Sequence, residues 1–389
     1  MKKLALVTII GLILSGCGGG GSSDSGSTPK PDIKPETKPA LVEGTIDKVN
    51  GSNIIVNGRS YQVASVNYAN TPLADGVSVL KPQMMVQVSD VARAGATVFL
   101  DPTLLGKVTA VNHTTNTFTV NGVELSFAQL NKEIEINDWV MVSALPMATE
   151  TGVGYKVLSV IEVENTDLAG KYELEGTLSQ LDSAASTFKL GQVVVDYANI
   201  QLEPTIGNGD WVEVTGQMSN GVFVATEVEV DNYDDNEDFD DAEIEGVVTW
   251  INNEKTLFTL NARGQFVIDN STRFEDGSRN NLKTGELVEV TAINGVAKEI
   301  EFERDHDGDH DQGTWREFDV KGIVSDVTDS TITLDTFNGA SQTIYVDNMT
   351  RYEDRLTLAT LTDRQVEIEG IVRNGQKIAR EIELEELDD

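Results

Sequence analysis

Cysteine is nearly absent from this sequence: Cys17 is the only one in 389 residues. Neither a disulfide framework nor a cysteine-built metal cage therefore holds the fold. Basic residues are scarce as well, 29 Lys and Arg against 64 Asp and Glu, a formal net charge of -35. So acidic a surface repels phosphate backbones, because nucleic-acid affinity is mostly neutralisation of phosphates by basic groups. Nucleic acid is not expected as a partner. Only three histidines are present, and no Gly-x-Ser-x-Gly elbow, phosphate loop or His-Glu-x-x-His motif occurs. Acid pairs are too plentiful to nominate a glycosidase dyad, which needs one specific carboxyl separation. The expectation is a non-enzymatic protein that requires no cofactor.

Long apolar runs are missing too. Leu4 to Leu14 spans about eleven residues after Lys2 and Lys3, short of the roughly 20 that cross a bilayer. It ends at Leu14-Ser15-Gly16-Cys17, which resembles the cleavage and acylation signal of bacterial lipoproteins. Residues 1–16 then read as a signal peptide, and Cys17 as the lipidated first residue of the mature chain. Each buried acyl methylene contributes about 0.8 kcal/mol to such an anchor. Gly18 follows in place of Asp, which in the Gram-negative sorting pattern implies the outer membrane. Residues 17–40 read as a tether: Gly18 to Ser27 is a flexible coil, stiffened by Pro29, Pro31, Pro35 and Pro39.

What the chain has in abundance is repetition. Glycine followed by hydrophobes two and five residues later recurs as Gly44-Ile46-Val49, Gly106-Val108-Val111, Gly176-Leu178-Leu181, Gly246-Val248-Ile251 and Gly322-Val324-Val327. The glycines are 62, 70, 70 and 76 residues apart, a period that signals repeated small domains. A short alternating strand follows each: Val86-Gln87-Val88, Val140-Met141-Val142, Val212-Glu213-Val214, Val288-Glu289-Val290 and Val366-Glu367-Ile368. The last three copies close on a further strand, with Glu227 and Glu229 facing water while Val228 and Val230 face inward.

In the third copy the strands are expected near 174–181, 186–190, 192–196, 211–217 and 222–230. Hydrophobes three apart break strict alternation, so a bulge or bend is expected in a long first strand. Five strands with a long connection before the fourth predict an all-β fold: a tandem array of about five OB-like barrels. A two-sheet sandwich is the alternative. The expected units are 41–101, a divergent first repeat, then 102–165, 170–231, 243–303 and 317–389, the last with an acidic tail. An acidic linker (232–242) and an Asp/His linker (304–316) separate the later ones, like beads on a string.

The glycine-led first strand, the Thr272-Arg273-Phe274-Glu275-Asp276 and Thr350-Arg351-Tyr352-Glu353-Asp354 loops and the closing Ala-x-Glu strands resemble the DUF5666 repeat domain. That bacterial family has no assigned function and is often found in lipoproteins. The resemblance is good over residues 170–387 and weakest over 41–101, and it implies architecture and location alone.

Three groups of residues invite a site. Asp305, His306, Asp307, Asp309, His310 and Asp311 alternate acids as calcium loops do. Counted from Asp305, however, His310 stands where an EF-hand has Gly, and Arg316 where it has Glu. His306 and His310 suit zinc, nickel or copper instead. Eight acids between Asp231 and Glu243 read as solvated, mutually repelling linker, with Ca2+ a possible ligand. Trp139 and Trp211 precede the fourth strand and offer either a stacking platform or a structural cover. Together these features suggest an envelope binding or interaction protein, attached to the membrane through Cys17 and meeting an envelope protein or glycan. The alternatives are a spacer with calcium-responsive linkers and, behind both, an envelope enzyme acting on glycans.

Overall fold

The computed structural model describes residues 41–389 except 70, 92–94, 150, 151, 164–167, 234–240, 303–316, 348, 374 and 386–389. Cys17 and the whole Asp305–Asp311 group lie outside the described residues, as do the signal and tether segments.

Every repeat glycine opens a β-barrel of five principal strands. In barrel 3 these are Tyr172–Asp182, Thr187–Leu190, Val193–Asp196, Trp211–Ser219 and Val222–Val230. The N-terminal half of the first strand pairs antiparallel with the fourth, and its C-terminal half with the second. Parallel pairing of Val195 with Phe223 then joins the third strand to the fifth and closes the barrel. This is OB topology. Barrels 1, 4 and 5 close in the same way, through Val63 with Ala96, Val267 with Val296 and Ile344 with Lys377.

The expected bulge is present in every first strand. Register shifts fall between Ile46 and Lys48, Val108 and Ala110, Ser179 and Asp182, Val248 and Trp250, and Val324 and Asp326. An extra residue bends the strand and lets it serve two different neighbours. Inside, the alternating fourth strands supply the core: Val86, Val140, Val142, Val212, Val214, Val288, Val290, Val366 and Ile368 are fully buried. The Thr-Arg-aromatic loop of barrels 4 and 5 forms a short extra strand, Arg273–Glu275 or Arg351–Tyr352, parallel to the fifth.

Barrel 2 departs from the pattern. Its strands are Leu104–Asn112, Thr117–Val120, Val123–Ser126, Trp139–Thr149 and Gly152–Glu162. Among the described residues the third strand pairs only with the second, and the fifth only with the fourth. The barrel is open on that side, and its apolar core runs on into barrel 3: Val108, Phe118 and Val140 share one cluster with Leu174, Leu178 and Val212.

The barrels are not beads held apart by charge, and here the expectation is corrected. Strands of different barrels are hydrogen-bonded: Leu41–Glu43 runs parallel to Ala242–Ile244, and Glu173 and Leu174 pair with Leu105 and Leu104. Met85, Leu145 and Val247 bring barrels 1, 2 and 4 into one apolar contact, and Trp250 packs with Ile371 between barrels 4 and 5. Repulsion fails to separate barrels 1 and 4 because the scarce cations are spent at their contact. Arg59 of barrel 1 grips Glu243 of barrel 4 through Nε (2.9 Å) and Nη2 (2.7 Å). Arg263 of barrel 4 reaches back to Glu43 of barrel 1 at 2.6 Å and to Asp231 at 2.7 Å. Paired, hydrogen-bonded charges tolerate the burial that isolated ones do not.

Candidate functional site between barrels 2 and 3

A repeated device marks the turn between the second and third strands. Asn57, Asn121 and Asn261 sit there with positive φ (49°, 51° and 53°), a conformation asparagine adopts more readily than most residues. Each side-chain amide donates to the carbonyl just before the repeat glycine: Glu43 O (3.2 Å), Leu105 O (2.9 Å) and Glu245 O (3.2 Å). The glycine is required by this close approach. A Cβ on Gly44, Gly106 or Gly246 would lie 1.9, 2.1 or 2.4 Å from the asparagine side chain.

Barrel 3 lacks the asparagine. Gly191 (φ +57°) occupies that turn, with open space where its side chain would be. The missing hydrogen bond is supplied from outside, as the Tyr155 hydroxyl on the unpaired edge of barrel 2 donates to Glu175 O at 2.5 Å. The hydroxyl stands 2.7 Å from where a Gly176 Cβ would be. The exchange leaves a partly open cleft of about 110 Å³ between the two barrels, walled by Val153, Tyr155, Gly176 and Gly191.

Trp211 and Thr177 line this cleft, paired across the first and fourth strands. They are 4% and 8% exposed, and among the described residues Trp211 Nε1 and Thr177 Oγ1 have no hydrogen-bond partner. A buried polar group left unpaired costs about 1–3 kcal/mol, so both invite a polar guest. The ring of Trp211 is too buried to serve as an open stacking platform. Trp139, at the equivalent position of barrel 2, is half-buried and meets Tyr172 edge-on at 4.8 Å. The two tryptophans are not brought together. Sequence reasoning found Trp211 by its place before the fourth strand and missed Tyr155. The available signal was the glycine standing where three other repeats have asparagine.

A second polar centre lies where barrels 1 and 4 meet. Glu43, 1% exposed, accepts from Arg263 Nη1 and from the Tyr233 hydroxyl (2.8 Å), while the Arg263 guanidinium lies 4.5 Å above the Tyr233 ring. Burial outweighs the attraction of Arg263 and raises the Glu43 pKa to about 7, with Asp101 and Asp231 adding to the rise. One guanidinium facing several acids does not hold all of them ionised. Glu173, which accepts from the Tyr68 hydroxyl, and Glu175 are raised well above the usual carboxylate range, again chiefly by burial. These groups join barrels and leave no opening for a substrate.

Two acid groups have carboxylates within 4.8 Å of one another: Glu275, Glu299 and Glu301, and Asp319, Glu367 and Glu369. Arg273 is already ion-paired to Glu275 and Glu299, Lys321 to Glu367, and Glu369 accepts from Asn253 N–H. The protein supplies its own cations there.

With the geometry described, likeness to known proteins is informative in one respect. A family model described as a domain of unknown function (DUF5666) matches residues 175–229, 245–301 and 321–383. Each segment begins on a first strand and ends on a fifth. Barrels 3, 4 and 5 are DUF5666 repeats. No curated protein matches the chain. Among solved structures, one titled Drosophila Unr CSD456 is 13% identical, covering 74% of this chain and 99% of that one at a TM-score of 0.16. A multidomain protein with nucleic acid binding domains from Streptococcus pneumoniae TIGR4 is 11% identical, covering 56% and 74% at 0.14. The OB assignment rests on the strand pairings above.

Proposed function

We propose that this chain is a lipid-anchored, non-enzymatic binding protein of the bacterial cell envelope, with its ligand site in the cleft between barrels 2 and 3. The observation that carries the reading is the cleft itself. Two buried, unpartnered polar groups, Trp211 Nε1 and Thr177 Oγ1, line a gap created by Gly191. Ligand sites combine such a concavity with a few convergent polar groups. Attachment through Cys17 to the outer membrane follows from the export run, the Leu14-Ser15-Gly16-Cys17 signal and Gly18. The net charge of -35 argues against nucleic acid, whatever the barrel type.

A thermal-shift screen of the full-length chain against saccharides, amino acids, short peptides and nucleotides tests the site. A ligand that raises Tm in the parent chain, with the rise lost in Trp211→Phe, supports it. No such ligand, or turnover of any compound in the panel, contradicts it. For the anchor, fatty-acid labelling is expected in the parent chain and lost in Cys17→Ala. Labelling that persists in the variant contradicts the anchor.

A further inference from the structure

Resting on that reading of the cleft, we infer that the ligand is an uncharged saccharide, held by one sugar unit in the gap left by Gly191. Size sets the first limit. A volume of about 110 Å³ corresponds to roughly three or four waters at about 30 Å³ each. That seats part of one small ring, with the remainder in solvent on the open side.

Chemistry sets the second limit. The lining offers an indole N–H that only donates, a Thr177 hydroxyl that donates and accepts, and the Ser179, Gln180 and Gln192 side chains, which do both. A mixture of neutral donors and acceptors matches the hydroxyls of a sugar. It matches poorly a carboxylate or phosphate, which only accepts. Lys189 is the one charged side chain in the lining, and a single cation on a chain of net charge -35 does not favour a polyanion. Val153 and the ring of Tyr155 supply an apolar wall for the C–H face of a sugar.

The inference is specific to barrel 3. In barrels 1, 2 and 4 the asparagine amide fills the equivalent space over Gly44, Gly106 and Gly246. One site per chain is therefore expected, and restoring asparagine at the turn should close it. Gly191 has φ +57°, which asparagine tolerates, so Gly191→Asn is a variant expected to fold.

The test is calorimetric titration of the full-length chain with neutral di- and trisaccharides of glucose, galactose and N-acetylglucosamine. The same series is run on Gly191→Asn, Trp211→Phe and Thr177→Val. Circular dichroism and melting confirm that each variant is folded. Binding of at least one saccharide at one site is expected, weakened about tenfold or more in Gly191→Asn and Trp211→Phe. Saccharide binding that is equal in the parent and both variants overturns the inference. So does a panel in which only an amino acid or peptide binds and Gly191→Asn abolishes it, although the cleft then stands as a binding site. If no compound binds in a way that Gly191→Asn removes, the cleft holds only ordered water and both readings fall.

Discussion

Barrels 2 and 5 contain the same five strands in the same order, yet they differ in independence. Barrel 5 pairs its third strand, Ser341–Tyr345, with its fifth, Gln376–Leu384, and encloses its own core of Val324, Ile332, Leu334, Ile344, Val366, Ile368 and Ile382. Barrel 2 leaves that seam unpaired among the described residues and shares its core with barrel 3. Its fifth strand carries Tyr155, whose hydroxyl serves a carbonyl of the neighbour. A repeat that lends a residue outward gains a joint and loses self-sufficiency. The family model matches barrels 3 to 5 and does not extend over barrel 2, in keeping with this difference.

The sharpest way to break the comparison is to separate the barrels. Residues 317–389 alone should give a cooperative β-sheet melt, with modest stability because domains this small bury too little surface. Residues 102–165 alone should show no cooperative transition, whereas residues 102–231 should restore one. A cooperative melt of 102–165 would show that the open seam costs it nothing.

Charge at the joints gives the next largest effect. Arg263→Ala leaves Glu43 and Asp231 without their cation, and breaking such a buried pair costs about 3–5 kcal/mol. Urea unfolding followed by barrel-specific probes should place the loss in barrels 1 and 4, with barrel 5 unaffected. A smaller effect is expected at the borrowed hydrogen bond. Tyr155→Phe should cost about 1–2 kcal/mol, and adding Gly191→Asn should recover part of it by rebuilding the bond within barrel 3. Additive losses in the double variant would contradict the equivalence of Tyr155 and the asparagines.

The smallest expected effect is on pH. Burial raises Glu43 to about 7 and, in barrel 5, Glu369 to about 8. A raised folded-state pKa means that the protonated form favours folding. The contribution is complete below the ordinary value near 4.5 and is lost as pH rises through 7 to 8. Tm should therefore fall by a few degrees between pH 5 and pH 8, and the fall should shrink in Glu43→Gln. A Tm that rises over that interval would contradict the sign.

Much of the barrel was legible because its signals are local. Gly246-Val248-Ile251 marks the bulged first strand and Val288-Glu289-Val290 the fourth, since both depend only on the pleat and its interruption. The contacts between barrels were not legible. Alternation assigns Glu43, Glu173 and Glu243 to the outside of their own barrels, which is where they lie. That another barrel covers this outside depends on residues far along the chain. Arg59 and Arg263 were the available hint, because each follows the turn asparagine by two residues and cations are few. Cys17 and the Asp305–Asp311 segment lie outside the described residues.

Packing of the barrels against one another is tested most directly at backbone amides whose partner belongs to a different barrel. Thr45 N–H donates to Glu245 Oε2 at 2.7 Å, Met85 N–H to Ser143 Oγ at 2.9 Å, and Glu175 N–H to Thr103 O at 2.9 Å. Hydrogen exchange resolved to single amides in the full-length chain should find these three protected nearly as well as the ladder amides of the same strands. Exchange of all three at the rate of exposed amides, with the ladders still protected, would mean that the barrels fold but do not pack.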